Sequence, residues 1–479
     1  MSVKKNFLYN STITVSNYLF PLLTYPYVSR VLGLSNIGIC NFIDSVIYYF
    51  YLLSFMGITT CGIREIARVK GDKNEMSKSF SGLLMLHLLS TLVAIATLLI
   101  CMYSIPKFFP YRDLLYIGVV KLIFQLFLVE WFYAGLEDFS YITKRTILIK
   151  ILYVISVFVF VHHATDYKIY FFLSVAMIGV NAFINLIHAK KNIMFLLNFN
   201  IKKYLVPFFT LGFYAIITSM YTTFNTTFLG FVCGTDEVGN YTTATKLYSI
   251  IIALFTAFTG VMIPRMTSLV AENKIDEFKN KCQKSMELLI SFTLPATILF
   301  VIFSPDLVYL LAGKGFEGAY LPSRIVMPLL LIIGLAQILV MQILTPLKKD
   351  RAILVNSIFG AILGVSLNFC LVPYYGAVGA ALSWVLSEVL VTISAQIFVF
   401  KYINILFPFK EFFKVLLFYM PAIFVLLLTY QYLSISPFIR LGVAALFTLI
   451  YTFFIQIKCI KNEFILTMFK KFFSILYIK

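Results

Sequence analysis

The 479-residue chain is 61% hydrophobic and only 13% charged, and 39 Lys and Arg against 21 Asp and Glu give it a net charge of +18. Its apolar residues come in runs of about 20 rather than at period 3.6, which excludes a water-soluble domain and predicts a polytopic membrane protein. The basic surplus does not point to nucleic acid, because it gathers in the connections between apolar runs.

Fourteen runs follow one another, centred near Leu19, Tyr49, Thr91, Phe124, Val154, Val175, Phe213, Ile250, Phe292, Ile332, Phe359, Val385, Leu417 and Ala444. Each must be helical, since the bilayer core holds no water to satisfy a bare backbone. The start, MSVKKNFLYNSTITVSNYLF, has the charge of a signal peptide but no small-residue cleavage site, so it reads as a retained first helix. Connections of at most about 15 to 20 residues leave no room for a separate soluble domain. With the N-terminus inside, 30 of the 39 Lys and Arg fall on the cytoplasmic side. They lie in Lys4 and Lys5, REIARVKGDKNEMSK, TKR with Lys150, AKK to IKK, PRMTSLVAENKIDEFKNKCQK, KKDR, KYINILFPFK with Lys414, and the tail. Both termini are therefore predicted to be cytoplasmic.

Seven cysteines at 40, 61, 101, 233, 282, 370 and 459 show no paired spacing, and the adjacent His162 and His163 sit at a span end. Neither set predicts a disulfide framework or a metal site. No nucleophile triad or phosphate loop is present, so neither enzyme nor cofactor is expected.

The second half of the chain repeats the first. SRVLGLSNIGICNFIDSVIYYFYLLSFMGITTCGIREIAR has a counterpart in TFLGFVCGTDEVGNYTTATKLYSIIIALFTAFTGVMIPRM, and Gly38 to Arg64 equals Gly239 to Arg265 at 26 residues. The expected fold is an all-α integral membrane protein of about 14 transmembrane helices. Residues 1–200 and 201–405 form two pseudo-symmetric six-helix bundles, and residues 406–479 add a helix pair and a cytoplasmic tail.

Ser219, Thr222, Thr223, Thr226 and Gly230 fall on one helical face of the seventh run, and Asn10, Thr14, Asn17, Pro21 and Thr24 do so in the first. Small hydroxyl residues also serve helix packing. Two matched stripes favour a shared wet cavity, with Asn17, Thr222, Asn225 and Thr226 as candidate lining. Charges within spans are a stronger signal, because each costs about 3 kcal/mol in hydrocarbon unless it is paired or hydrated. Arg30, Asp44, Lys121 and Lys246 are the substrate-binding candidates. Ser45 aligns with Lys246, which puts Asp44 and Lys246 at similar depth in the two halves. Asp44, Glu130 and Glu388 are candidates to hold a coupling ion, and Arg64 and Arg265 stand at the cytoplasmic doorway or merely anchor the topology.

The phrases YPYVSRVLGLSNIGICNF, EWFYAGLEDFSYIT, YTTFNTTFLGFVCGTDEVGNYTTATKLY and GAVGAALSWVLSE resemble, in order, those of the polysaccharide (O-antigen, Wzx-type) flippases. That family lies in the multidrug/oligosaccharidyl-lipid/polysaccharide exporter superfamily. The resemblance implies a V-shaped pair of bundles in the bacterial inner membrane that moves polyprenyl-diphosphate-linked oligosaccharides to the outer leaflet. It also implies membrane lipids, a coupling proton or sodium ion, a glycan polymerase and a chain-length regulator as partners. The family often carries Asp where this chain has Asn225, so coupling here is expected to differ or to use Asp44. A lipid II-type flippase or a drug or cation antiporter of the same superfamily is the nearest alternative. A membrane glycan polymerase or ligase is the alternative from another class, but it would need a long outer loop.

Overall fold

A computed structural model describes residues 3–191, 193–196 and 201–460. The predicted tail beyond Ile460 and the side chains of Lys4, Lys5, Asn10 and Thr14 lie outside the described residues. Among the described residues there is no strand, and seventeen α-helices follow in order. They are α1 (Val3–Phe55), α2 (Ile58–Val69), α3 (Lys73–Ser104), α4 (Arg112–Leu126), α5 (Glu130–Gly135), α6 (Phe139–Phe160), α7 (Tyr167–Ala189), α8 (Lys202–Thr222) and α9 (Phe224–Val232). The rest are α10 (Thr235–Ala271), α11 (Ile275–Ile302), α12 (Ser304–Ala312), α13 (Tyr320–Val326), α14 (Leu329–Gln337), α15 (Asp350–Ile403), α16 (Phe409–Tyr432) and α17 (Pro437–Ile455).

Among the described residues, nine helices are long and apolar enough to cross a membrane, or eleven if two bent pairs each count as one span. α1 and α15 have 53 and 54 residues. At 1.5 Å per residue each would reach about 80 Å, far more than a hydrocarbon core of about 30 Å. Each instead turns at a glycine, Gly33 (φ 76°, ψ 173°) and Gly376 (φ 53°, ψ −128°), and carries two apolar runs, one on each side. A side chain at Gly33 would clash with its own backbone at that φ. The same turn recurs 201 residues later at Gly234, with φ 92°.

The seventh run departs from expectation. α8 stops at Thr222 and α9 starts at Phe224, so the predicted Ser219 to Gly230 face is not one continuous helical stripe. At the junction Thr223 O accepts from both Thr226 N and Thr227 N, over 3.1 and 3.4 Å, so three- and four-residue steps share one acceptor.

The chain clusters into two units. The first comprises Met1–Thr242, Ala312–Gly315 and Gly360–Trp384, and the second comprises Thr243–Leu311, Phe316–Phe359 and Val385–Lys479. In the first unit, Trp131, Phe132 and Tyr133 of α5 are buried with Phe80 of α3, Ile58 and Ile66 of α2 and Phe208 of α8. In the second, Phe278 and Met286 of α11 pack with Ile338, Ile343 and Val399. There the C-terminal pair α16 and α17 is mounted on α11 through Ile290, Val415, Tyr419 and Ile455. Large apolar side chains such as Phe183, Val206 and Leu417 are 67 to 75% exposed, the pattern of helices whose solvent is lipid.

Candidate site in the membrane-spanning helices

Asp44 projects from the second limb of α1, where it is 52% exposed, and its partner is Lys121 of α4 at 2.5 Å. The ammonium is the more covered of the two, at 15%. Two of the predicted charges thus come together, in an ion pair whose carboxylate remains accessible. Lys246 lies in the other unit, half-buried on α10.

Arg30 is exposed on the first limb of α1, and its Nη1 donates to Pro26 O over 2.6 Å. A Cβ on Gly313 would stand 3.0 Å from Arg30 Cγ, so that glycine (φ 89°) lets the chain at 312–315 lie against the arginine stem. Asn17 accepts from Lys150 Nζ at 2.5 Å, and Ser16 Oγ accepts from the same ammonium at 2.9 Å. Lys150 was expected on the cytoplasmic side. It sits instead well inside α6, where its hydrogen bonds to α1 replace the water it would lose.

Glu130 opens α5 just after Val129, whose left-handed backbone (φ 37°) breaks the helix between α4 and α5. Its partner is Arg145 of α6 at 2.6 Å, with the guanidinium 4% and the carboxylate 46% exposed. Arg145 also donates to Asn185 Oδ1, and Asn185 Nδ2 donates to Leu128 O, which secures the break. Tyr141 OH donates to Asn185 Oδ1 over 3.1 Å, and its ring stacks on His188 at 4.0 Å. Arg145 and Asn185 were not among the predicted site residues. Arg145 was counted with TKR among the cytoplasmic-side charges, whereas Asn181 and Asn185, four apart in an apolar run, were an available signal.

Asn225 on α9 is fully buried. Its Nδ2 donates to Tyr241 OH over 3.1 Å, and its Oδ1 accepts from Asn368 Nδ2 over 2.5 Å. Asn368, on α15, also donates to Gly364 O over 2.7 Å. These three side chains form a buried, neutral chain of hydrogen bonds. Thr226 is half-buried, and the exposed Thr222 donates back to Thr218 O at 3.2 Å. Thr227, which the stripe had omitted, donates to Ser45 Oγ over 2.9 Å.

The 201-residue repeat appears as physical contact. Asn41 Nδ2 donates to Thr242 Oγ1 over 3.0 Å, and these two positions are 201 apart. A Cβ on Gly38 would stand 1.8 Å from Thr235 O, and one on Gly239 would stand 2.7 Å from Leu34 O. Equivalent glycines therefore let the two helices touch backbone to backbone within the first unit.

In the second unit Glu388 is 6% exposed on α15, and Arg265 pairs with Glu277 at 2.9 Å. Arg64 is exposed on α2. Arg440, in the first turn of α17, forms a two-pronged pair with Asp306 at 2.5 and 2.8 Å and lies over the Tyr430 ring at 4.9 Å. Asp306 is only 3% exposed, so this clamp fixes the helix pair to α12. All seven cysteines are free, and among the described residues no group of three or more His, Cys, Asp or Glu could hold a metal.

Residues 3–270 match the polysaccharide biosynthesis protein family, more than half of the chain, and residues 211–370 match the MatE family. The chain belongs to the polysaccharide biosynthesis protein family. It is a polysaccharide flippase of the multidrug/oligosaccharidyl-lipid/polysaccharide exporter superfamily. A protein of Escherichia coli (strain K12) named as an O-antigen transporter is 24% identical to it, over 83% of this chain and 97% of the relative. The lipid II flippase MurJ, in an inward closed conformation, shares the flippase's fold with a TM-score of 0.76 at 16% identity, covering 95% of this chain and 98% of that one. An inward-facing multidrug resistance MATE transporter of the same superfamily gives 0.65 at 14% identity, over 82% and 98%.

Proposed function

We propose that this flippase moves polyprenyl-diphosphate-linked glycan repeat units from the inner to the outer leaflet of the bacterial cytoplasmic membrane, for surface polysaccharide synthesis. The observation that carries the reading is the set of cations on the apolar helices α1, α4 and α6. Arg30, Lys121 and Lys150 each have hydroxyl, amide or carboxylate neighbours. A diphosphate needs cations, and a sugar needs amide and hydroxyl partners; hydrocarbon provides neither. Asn17 and Thr222 are exposed and suited to the sugar, whereas fully buried Asn225 and half-buried Thr226 serve as support behind them. The O-antigen transporter name of the E. coli relative favours this substrate over lipid II, which the MurJ likeness keeps as the second reading.

The proposed topology is fourteen crossings with both termini cytoplasmic. α1 and α15 supply two crossings each and the two bent pairs one each, while α6 is a further crossing that carries three cations, Lys144, Arg145 and Lys150. Residues 1–200 and 201–405 would then be repeats that rock about the bound head, with 406–479 appended. In that scheme the Gly38–Thr235 and Asn41–Thr242 contacts close the outer side and must open to release substrate. With Asn225 neutral, coupling to a proton or sodium ion falls to Asp44, Glu130 or Glu388, and a polymerase and chain-length regulator would receive the product.

Deletion should remove surface glycan and make lipid-linked units accumulate on the cytoplasmic face; normal export in the deletion strain would refute the proposal. Oxidising an Asn41→Cys/Thr242→Cys pair should stop export reversibly, and undiminished export through a fully cross-linked protein would refute the gate.

A further inference from the structure

In the second unit, the start of α11 and the chain leading into α16 enclose a groove of about 700 Å³. Lys279, Gln283 and Glu287 line one wall from α11, four residues apart and so on one face, with Asn280 beside them. Residues 404–411 form the other wall. That wall is held in place: Asn404 ends α15 in the left-handed conformation (φ 54°), and Gln396 Nε2 donates to Ile405 O over 2.8 Å. Phe407 packs against the cores beneath both α11 and α16.

The charges of the groove are unequally committed. Glu411 has Lys414 4.0 Å away, and Glu287 is also engaged. Lys279 and Lys410 make no ion pair among the described residues. Two uncommitted ammonium groups beside the amides of Asn280 and Gln283 favour an anion.

An apolar track leaves the same groove. Phe409, Phe413 and Leu417 succeed one another on one face of α16 and are 59, 60 and 69% exposed, with Leu406 at the rim 56% exposed. α11 and α16 both begin at the groove, and both are long and apolar enough to cross a membrane. The cations therefore stand where hydrocarbon gives way to water, on the side that the Lys and Arg pattern assigns to the cytoplasm. A soluble anion would use the lysines but not the track; a lipid with an anionic head uses both.

We propose that this groove binds an anionic phospholipid of the inner leaflet, its phosphate between Lys279 and Lys410 and one acyl chain along Phe409, Phe413 and Leu417. The site lies on other residues than the charged groups proposed to carry substrate, and it does not depend on that proposal. Native mass spectrometry of the full-length protein, stripped of lipid and titrated with phosphatidylglycerol or phosphatidylcholine, tests it. Phosphatidylglycerol should bind first and more tightly. Lys279→Gln/Lys410→Gln should weaken it about tenfold and leave phosphatidylcholine unchanged. Lys190→Gln/Lys191→Gln, which removes the same charge elsewhere, should change neither. Equal binding of the two lipids, an unchanged groove variant, or an equal loss in the control pair would overturn the proposal. Displacement of phosphatidylglycerol by a polyprenyl diphosphate would also overturn it, by assigning the groove to the substrate. Should the groove variant fold poorly, a photoreactive phosphatidylglycerol on the unmodified protein must label residues 279–287 or 404–417; labelling only elsewhere overturns it equally.

Discussion

Two buried polar networks in the first unit solve one problem in opposite ways. Around Arg145 the groups are charged: Glu130 at 2.6 Å neutralises the guanidinium, and Asn185 ties it to the broken backbone before α5. Around Asn225 every group is neutral, and Asn368, Asn225 and Tyr241 form a short amide and hydroxyl chain with no net charge. A charged network in a low-dielectric interior stands only while both signs remain, whereas a neutral one needs only its hydrogen bonds. The difference separates what can respond to an ion from what can only hold helices together. In this chain the titratable pairs Asp44–Lys121 and Glu130–Arg145 both lie within residues 1–200, whereas Asn225 on α9 and its two partners carry no charge.

The contrast predicts a ranked series of variants. Arg145→Met removes a buried guanidinium together with its bonds to Asn185 and the half-exposed Glu130, so a loss of about 3 kcal/mol is expected, seen as a lower yield of monodisperse protein in detergent. Arg145→Lys should recover part of it, since it restores the charge without the planar fork. Asn225→Asp puts a charge into the neutral chain of hydrogen bonds. It should cost about 2–3 kcal/mol near pH 8, and the deficit in melting temperature against the parent should shrink toward pH 5, because a protonated carboxyl restores neutrality. Asn368→Ala takes one donor from Asn225 and should cost about 1–2 kcal/mol at every pH, which separates a hydrogen-bond loss from a charge effect. Asp44→Asn should cost least, about 1 kcal/mol or less, because the carboxylate is half exposed. Its effect should appear in export instead, measured as surface glycan at equal membrane abundance.

Much of the fold was legible because lipid imposes a single period on the sequence. The long apolar runs and the 201-residue offset that relates Gly33 to Gly234 and pairs Asn41 with Thr242 reflect constraints that act along the chain. Asp44, Lys121 and Glu130 could be singled out because a charge in hydrocarbon is costly wherever it lies. Their partners were less accessible. Charge counting used Arg145 and Lys150 only as markers of the cytoplasmic side, since nothing local says that they meet Glu130 and Asn17. The junction within the seventh run was not legible either: α8 ends at Thr222 and α9 begins at Phe224, and Thr and Asn side chains suit a helix end as well as a helix face. Likewise Asn225 read as cavity lining, and only tertiary packing closes Tyr241 and Asn368 around it.

The most direct measurement of the central claim is translocation in vesicles containing only the purified flippase and a labelled polyprenyl-diphosphate oligosaccharide. The parent should move the labelled head group from one leaflet to the other, and an Arg30→Ala/Lys121→Ala variant of equal abundance should do so at least about tenfold more slowly. Equal rates in parent, variant and protein-free vesicles would contradict the account.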